Sequence, residues 1–192
     1  MKDINDFKLT AKVSVGQAKA WIAAADESAK ISLLELIEHR FINRYLKHLN
    51  HPDIDGGFFK MAICCLMIET LESFKQGKPN TKGISEDIFV AFFESEQQAF
   101  PNFNSISNDF YKSIRCGILH QAETTNAWRI HTKGPLLDTA NRIINATAFV
   151  KALELTFKIY LESLRESNLA DAVWKRAIVK IESICKNCEI IN

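Results

Sequence analysis

Seven glycines and four prolines punctuate this 192-residue chain, and they fall in clusters, so long uninterrupted helices are expected between them. Ser14 followed three residues later by Gln17 reads as a capping box and predicts a helix start. From Ala18 to Leu49 apolar residues recur at helical spacing, Leu33, Leu34, Leu36, Ile37, Phe41 and Leu46 among them, until Asn50, His51 and Pro52 end the pattern. A second helix is expected over Phe58 to Gln76, closed by Gly77 and Pro79. Ser85 reads as the N-cap of a short helix with Glu86 and Asp87 at the positive end of its dipole, stopping by Pro101.

Ser107 reads as the cap of a helix to about Ala122. Residues 124–137 lose the pattern and contain Gly134 and Pro135, which predicts a loop or a small hairpin. A long helix is expected from Asp138 to about Leu164, with Ile143, Ile144, Phe149, Val150, Leu153, Phe157 and Leu161 on its apolar side. A terminal helix from about Leu169 to Lys186 follows. With no repeat or linker, the expectation is one all-α domain over residues 1–192, an antiparallel helical bundle of about five to seven helices.

Composition narrows the function classes. Hydrophobic residues make up 47% and charged residues 24%, which suits a globular protein, and the 24 basic and 23 acidic side chains leave a net charge of +1. No global field draws such a chain onto nucleic acid or an anionic membrane, so any polyanion site must be local. The N-terminal stretch lacks a signal-peptide core and no apolar run approaches a membrane span, so a cytoplasmic protein without membrane contact is expected. The five cysteines read as free thiols. Cys185 and Cys188 form a CxxC pair, but no second pair or nearby His completes a zinc set. HExxH, a Gly-rich phosphate loop and a Gly-x-Ser-x-Gly elbow do not occur.

Chemistry-bearing residues concentrate between Phe110 and Gly134. On a helix, Arg115 and His120 lie five positions apart, roughly 140° around the axis and on the order of 7.5 Å along it. Phe110, Ile114 and Ile118 form an apolar stripe between them. Two copies of this helix meeting antiparallel across a two-fold axis would bring Arg115 of each toward His120 of the other. Gly117 has two readings of equal weight: it admits a neighbouring backbone across such an interface, or it relieves crowding within one chain.

The string Arg115-Cys116-Gly117-Ile118-Leu119-His120 resembles the signature of the HEPN superfamily, an Arg separated from a His by four to six residues late in an all-α domain. The wider string, with Glu123 and Trp128 to Arg129, resembles uncharacterised bacterial HEPN-like proteins. The resemblance implies metal-independent RNA cleavage without a cofactor, in toxins, defence or RNA processing. It also implies a homodimer in which paired Arg-His motifs meet, and an antitoxin or nucleotidyltransferase-like partner. The family contains noncatalytic members as well. Many active ones carry a polar residue, commonly Asn, after the Arg, where this chain has Cys116, which favours the alternative of an RNA- or protein-binding module. A third reading, unrelated to the superfamily, pairs Arg115 with a local carboxylate.

The residue chemistry agrees with cleavage. His titrates near neutrality and serves as acid or base, while Arg stays protonated and offers a fork of donors to phosphate. Around this pair, Glu123 could orient His120 or be a solvated helix-end carboxylate. Trp128 could stack on a base or cover the end of the core. Arg129, His131 and Lys133 alternate on an expected strand, where they could track phosphates or form an ordinary solvated edge.

Overall fold

In the computed structural model, residues 3–54 and 56–188 are described. The first long helix opens as expected: Ser14 Oγ accepts from the Gln17 amide at 3.3 Å, and Gln17 Oε1 accepts from the Ser14 amide at 2.9 Å. This helix, α1 (Val15–Ala24), ends where the expected pattern ran on, because Ala25 takes a left-handed conformation with φ 50°. Asp26 then caps α2 (Glu27–Phe41), its Oδ1 accepting from the Ala29 amide at 2.8 Å. A π-helical turn (Ile42–Leu46) and one α-turn (Lys47–Leu49) carry the chain to Asn50.

Helix α3 (Gly57–Gln76) buries Met61, Cys64, Cys65, Met67, Ile68, Leu71 and Phe74. Its end is a Schellman motif: Gly77 is left-handed (φ 67°), and the Lys78 amide returns to the Ser73 carbonyl at 2.9 Å. The α4 helix (Ser85–Ser95) forms without the expected cap, since the preceding residue is Ile84 and the Ser85 hydroxyl is engaged elsewhere. A 3₁₀ turn (Phe103–Ile106) leads into α5 (Ser107–Asp109), a π-helical stretch (Phe110–Cys116) and α6 (Gly117–Gln121).

A three-stranded sheet follows, of order β1-β3-β2, built from β1 (Arg129–His131), β2 (Leu137–Asp138) and β3 (Ile143–Asn145). β1 runs parallel to β3 with Ile130 opposite Ile144, and β2 runs antiparallel with Leu137 opposite Ile144. The expected helix start at Asp138 is therefore corrected. Ile143 and Ile144 are strand residues, and α7 (Ala146–Glu166) begins eight residues later, behind Asn145. Buried Asn145 accepts from the amides of Thr147 and Ala148 at 3.0 and 3.1 Å and donates to the Gly134 carbonyl at 2.6 Å, tying helix start to sheet. The last helix is α8 (Ala172–Lys186). The fold is an all-α helical bundle carrying one small sheet, and among the described residues no helix is long and apolar enough to cross a membrane.

The described residues group into two compact units. One takes residues from 1–43, 73–80 and 159–192. In it α1 packs against α2 and α8, and the buried Trp174 donates from Nε1 to the Leu164 carbonyl at 2.8 Å. Cys185 and Cys188 are free thiols here: Cys185 is buried, Cys188 Sγ lies 3.6 Å from the Ile184 carbonyl, and no cluster of metal-ligating side chains occurs among the described residues.

The other unit, residues 44–72 and 81–158, has an aromatic core. Phe89, Phe92, Phe93, Phe100, Phe103, Phe110 and Phe149 are all buried. Phe110 stacks on Phe149 with centroids 5.6 Å apart and meets Phe93 edge-on at 4.9 Å. These contacts fix the rotation of the helix that carries Arg115.

Candidate functional site

The helix is π-wound through Phe110–Cys116, so Arg115 lies at the end of that stretch and the 100° step holds only along the α-turn Gly117–Gln121 that carries His120. The apolar stripe of Phe110, Ile114 and Ile118 is buried within this chain, which corrects the expectation that a second copy packs on it. Gly117 is likewise filled by its own chain. A Cβ there would come within 2.5 Å of the Glu123 carbonyl oxygen and 3.3 Å of Thr124 Cα, so the 123–125 loop sits directly on the glycine. That loop is anchored by the Thr125 amide, which donates to the Ser113 carbonyl at 3.0 Å.

Arg115 points to a carboxylate 46 positions earlier in the chain. Its Nη2 donates to Glu69 Oε2 at 3.1 Å, with the two side chains 16% and 15% exposed. Glu69 is itself anchored: Oε1 accepts from Thr81 Oγ1 at 2.5 Å and from Ser85 Oγ at 2.6 Å. Burial pushes the Glu69 carboxyl up, but the hydrogen bonds from Ser85, Thr81 and Arg115 outweigh it and hold the group below its ordinary value. On the other side burial alone would lower Arg115, yet the Glu69 bond and charge raise it, so the pair is ionised. The guanidinium lies over the Tyr111 ring, 5.4 Å from its centroid. Nη1 reaches Cys116 Sγ at 4.0 Å, and the buried Nε has no hydrogen-bond partner among the described residues. Burial raises the Cys65 thiol strongly, with the charge of Arg115 pulling back against it. Arg115 is thus paired with a carboxylate of its own chain, one distant in sequence and supplied by another helix.

His120 differs in every respect. It is exposed on α6, and no hydrogen bond or ion pair engages its ring among the described residues. Within one chain, then, Arg115 and His120 are not joined. Glu123 does not orient the ring either: its Oε1 accepts from the Thr124 amide at 3.0 Å. Beside the Arg115–Glu69 pair lie exposed apolar side chains. Leu66, 42% exposed, is one helical turn before Glu69, and Leu119, 37% exposed, is one turn after Arg115. Phe59, 46% exposed, stands two turns before Leu66 on α3.

Trp128 is 4% exposed and holds the loop to the helix, donating from Nε1 to Asp109 Oδ2 at 2.9 Å. It covers the core, and a ring so buried has no open face for a base. Asp109 also accepts from Ser113 Oγ at 2.6 Å and from Arg142 Nη1 at 3.2 Å. Burial raises its carboxyl, but Ser113, Trp128 and Arg142 together bring it below the ordinary value. On β1, Arg129 and His131 are exposed and Ile130 faces the other way, as alternation requires. They do not share one hollow. His131 and Lys133 line a recess of about 350 Å³ with Gly57, Phe58, Ile130 and Thr132, whereas Arg129 lines a groove of about 550 Å³.

Sequence reasoning missed Glu69, Thr81, Ser85 and Tyr111. Glu69 left one signal, a carboxylate on an otherwise strongly apolar helix. Arg142 was hidden inside a stretch read as helix. No family model, curated protein or solved structure matches the chain.

Proposed function

We propose that this chain is one half of a HEPN-like endoribonuclease that cleaves RNA as a homodimer without a metal ion or cofactor, its site composed of Arg115 from one copy and His120 from the other. The observation that carries this reading is the contrast between the two residues. Arg115 is held at a fixed orientation by an anchored carboxylate, with an apolar rim of exposed Leu66 and Leu119 one helical turn from the pair, while His120, five positions on, is exposed and unengaged. A second copy covering that rim would remove apolar surface from water and supply the missing partner.

In such a site His120 takes the proton of the ribose 2′-hydroxyl as that oxygen attacks the adjoining phosphorus. The bond to the 5′ oxygen breaks, and that oxygen leaves with a proton returned by the imidazolium. Arg115 stays protonated throughout and bears the charge that grows on the phosphoryl oxygens. The products are a 2′,3′-cyclic phosphate and a 5′-hydroxyl, and DNA is inert because it lacks the nucleophile. The setting is cytoplasmic, in RNA processing, defence or a toxin system, with an antitoxin or a nucleotidyltransferase-like protein as partner.

One observation favours a second reading, a noncatalytic RNA- or protein-binding module: Glu69 already neutralises Arg115, and Cys116 follows it. End-labelled single-stranded RNA incubated in EDTA with the protein and with Arg115→Ala and His120→Ala separates the two. Fragments ending in cyclic phosphate, lost in both variants, are expected. RNA that is bound but never shortened by a dimeric protein would overturn the nuclease and leave the module.

A further inference from the structure

The groove that Arg129 lines has an opposite wall that no sequence motif announces. One side is Ala127, Trp128 and Arg129, behind which Asn126 turns the chain, and the other is the turn Ala140–Arg142. Asn126, Ala127 and Arg142 all have positive φ, 55°, 60° and 52°, a conformation that costs a non-glycine residue about 1 kcal/mol or more each. The strain is held by a defined network. Arg142 Nη1 donates to Asp109 Oδ2 and, at 3.0 Å, to the Asn126 carbonyl, while Asn126 Nδ2 donates to Ser113 Oγ at 2.9 Å. Arg142 also lies 5.7 Å from the Trp128 ring centroid.

Both arginines are thus tethered by one nitrogen. Arg129 Nη2 donates to the Asn141 carbonyl at 2.9 Å, and Arg142 is held through Nη1. Their remaining guanidinium donors have no protein partner among the described residues. Two forks pre-oriented in this way lose less freedom on meeting an anion than mobile side chains would. Asp109 and Asp138 are near, but neither lines the groove. Asp138 is taken up by the Asn141 amide and Nδ2 at 3.0 and 2.9 Å. The groove, of about 550 Å³, is open to solvent, so a strand lies across it rather than entering an enclosed pocket.

We propose that this groove is a phosphate-binding subsite for single-stranded RNA, with Arg129 and Arg142 each taking a backbone phosphate. The inference rests on reading the chain as an RNA-binding protein, and it replaces a stripe of Arg129, His131 and Lys133 with a pair contributed by the start of β1 and by the turn before β3.

The test is anisotropy of a labelled oligouridylate over a salt series, in a His120→Ala background so that the RNA stays whole. Each lost phosphate contact should flatten the slope of log affinity against log salt by about 0.7. Arg129→Gln, whose single tether is on the surface, is the primary variant. Arg142→Gln is added if its circular dichroism is that of the parent. Lys151→Gln, on α7, controls for net charge. Flattening by about 0.7 per arginine, absent in the control, supports the subsite even if the parent protein never cleaves RNA, in which case only the nuclease reading falls. Cleavage by the parent with slopes unchanged in both arginine variants would overturn the groove and leave the nuclease standing. Failure to bind oligouridylate at all would overturn both.

Discussion

Gly117→Ala puts the seating of the 123–125 loop to a test in which sequence propensity and structure give opposite signs. In a helix interior alanine is favoured over glycine by about 1 kcal/mol, so propensity alone expects a more stable protein. At this position the added Cβ would stand 2.5 Å from the Glu123 carbonyl oxygen, 3.3 Å from Thr124 Cα and 3.4 Å from the Thr125 amide nitrogen. All three are backbone atoms, and the loop that bears them is held by the Ser113–Thr125 hydrogen bond and by Trp128 on Asp109. Yielding means moving the loop, and overpacking of this kind costs about 1 to 3 kcal/mol. Offset by the propensity gain, the net expectation is a loss on the order of 1 kcal/mol, or about 2 to 4 °C in Tm for a chain of this size. Thermal unfolding followed by circular dichroism reads it, at two protein concentrations. A loss independent of concentration fits crowding within one chain. A rise in Tm would show that the loop does not rest on this glycine.

Other outcomes follow from the buried polar groups. The folded Glu69 carboxyl lies below its ordinary value, so its contribution to stability is complete above the usual glutamate range near pH 4.3 and is lost as pH falls through the folded value. Glu69→Gln should therefore flatten the acid limb of a stability-against-pH curve, and an unchanged limb would contradict the pairing. Trp128→Phe leaves an aromatic but a smaller one and removes the Nε1 bond to Asp109, whose loss alone should cost about 1.5 to 3 kcal/mol in urea unfolding because the acceptor is charged. Phe110→Ala, in the middle of the aromatic core, should cost about 3 to 5 kcal/mol in the same assay.

What could be read in the sequence was local. Ser14 and Gln17 announce a helix because both partners of the box lie within one turn. The break after α1 was less visible, since Ala25 takes a conformation usually left to glycine and only Asp26 marked the restart. Ile143 and Ile144 fit a helical or a strand period equally well over so short a run. The sheet was settled by pairing with Ile130 and Leu137, which no window around them contains. The candidate site divides in the same way. Arg115 and His120 were legible as a spaced pair, whereas Glu69, 46 residues from Arg115, is brought to it only by packing. The buried stripe and Gly117 carried the sequence-level case for a dimer and turned out to serve the single chain. The proposed dimer rests instead on the exposure of Phe59, Leu66 and Leu119.

The most direct measurement is complementation between two inactive proteins. Arg115→Ala and His120→Ala are purified, mixed under conditions that let subunits exchange, and assayed on single-stranded RNA in EDTA. If Arg115 of one copy works with His120 of the other, each mixed dimer retains one intact site, and the mixture should recover up to about a quarter of parental cleavage while each variant alone has none. A mixture as inactive as its components, with mixed dimers demonstrated to form, would contradict the composite site.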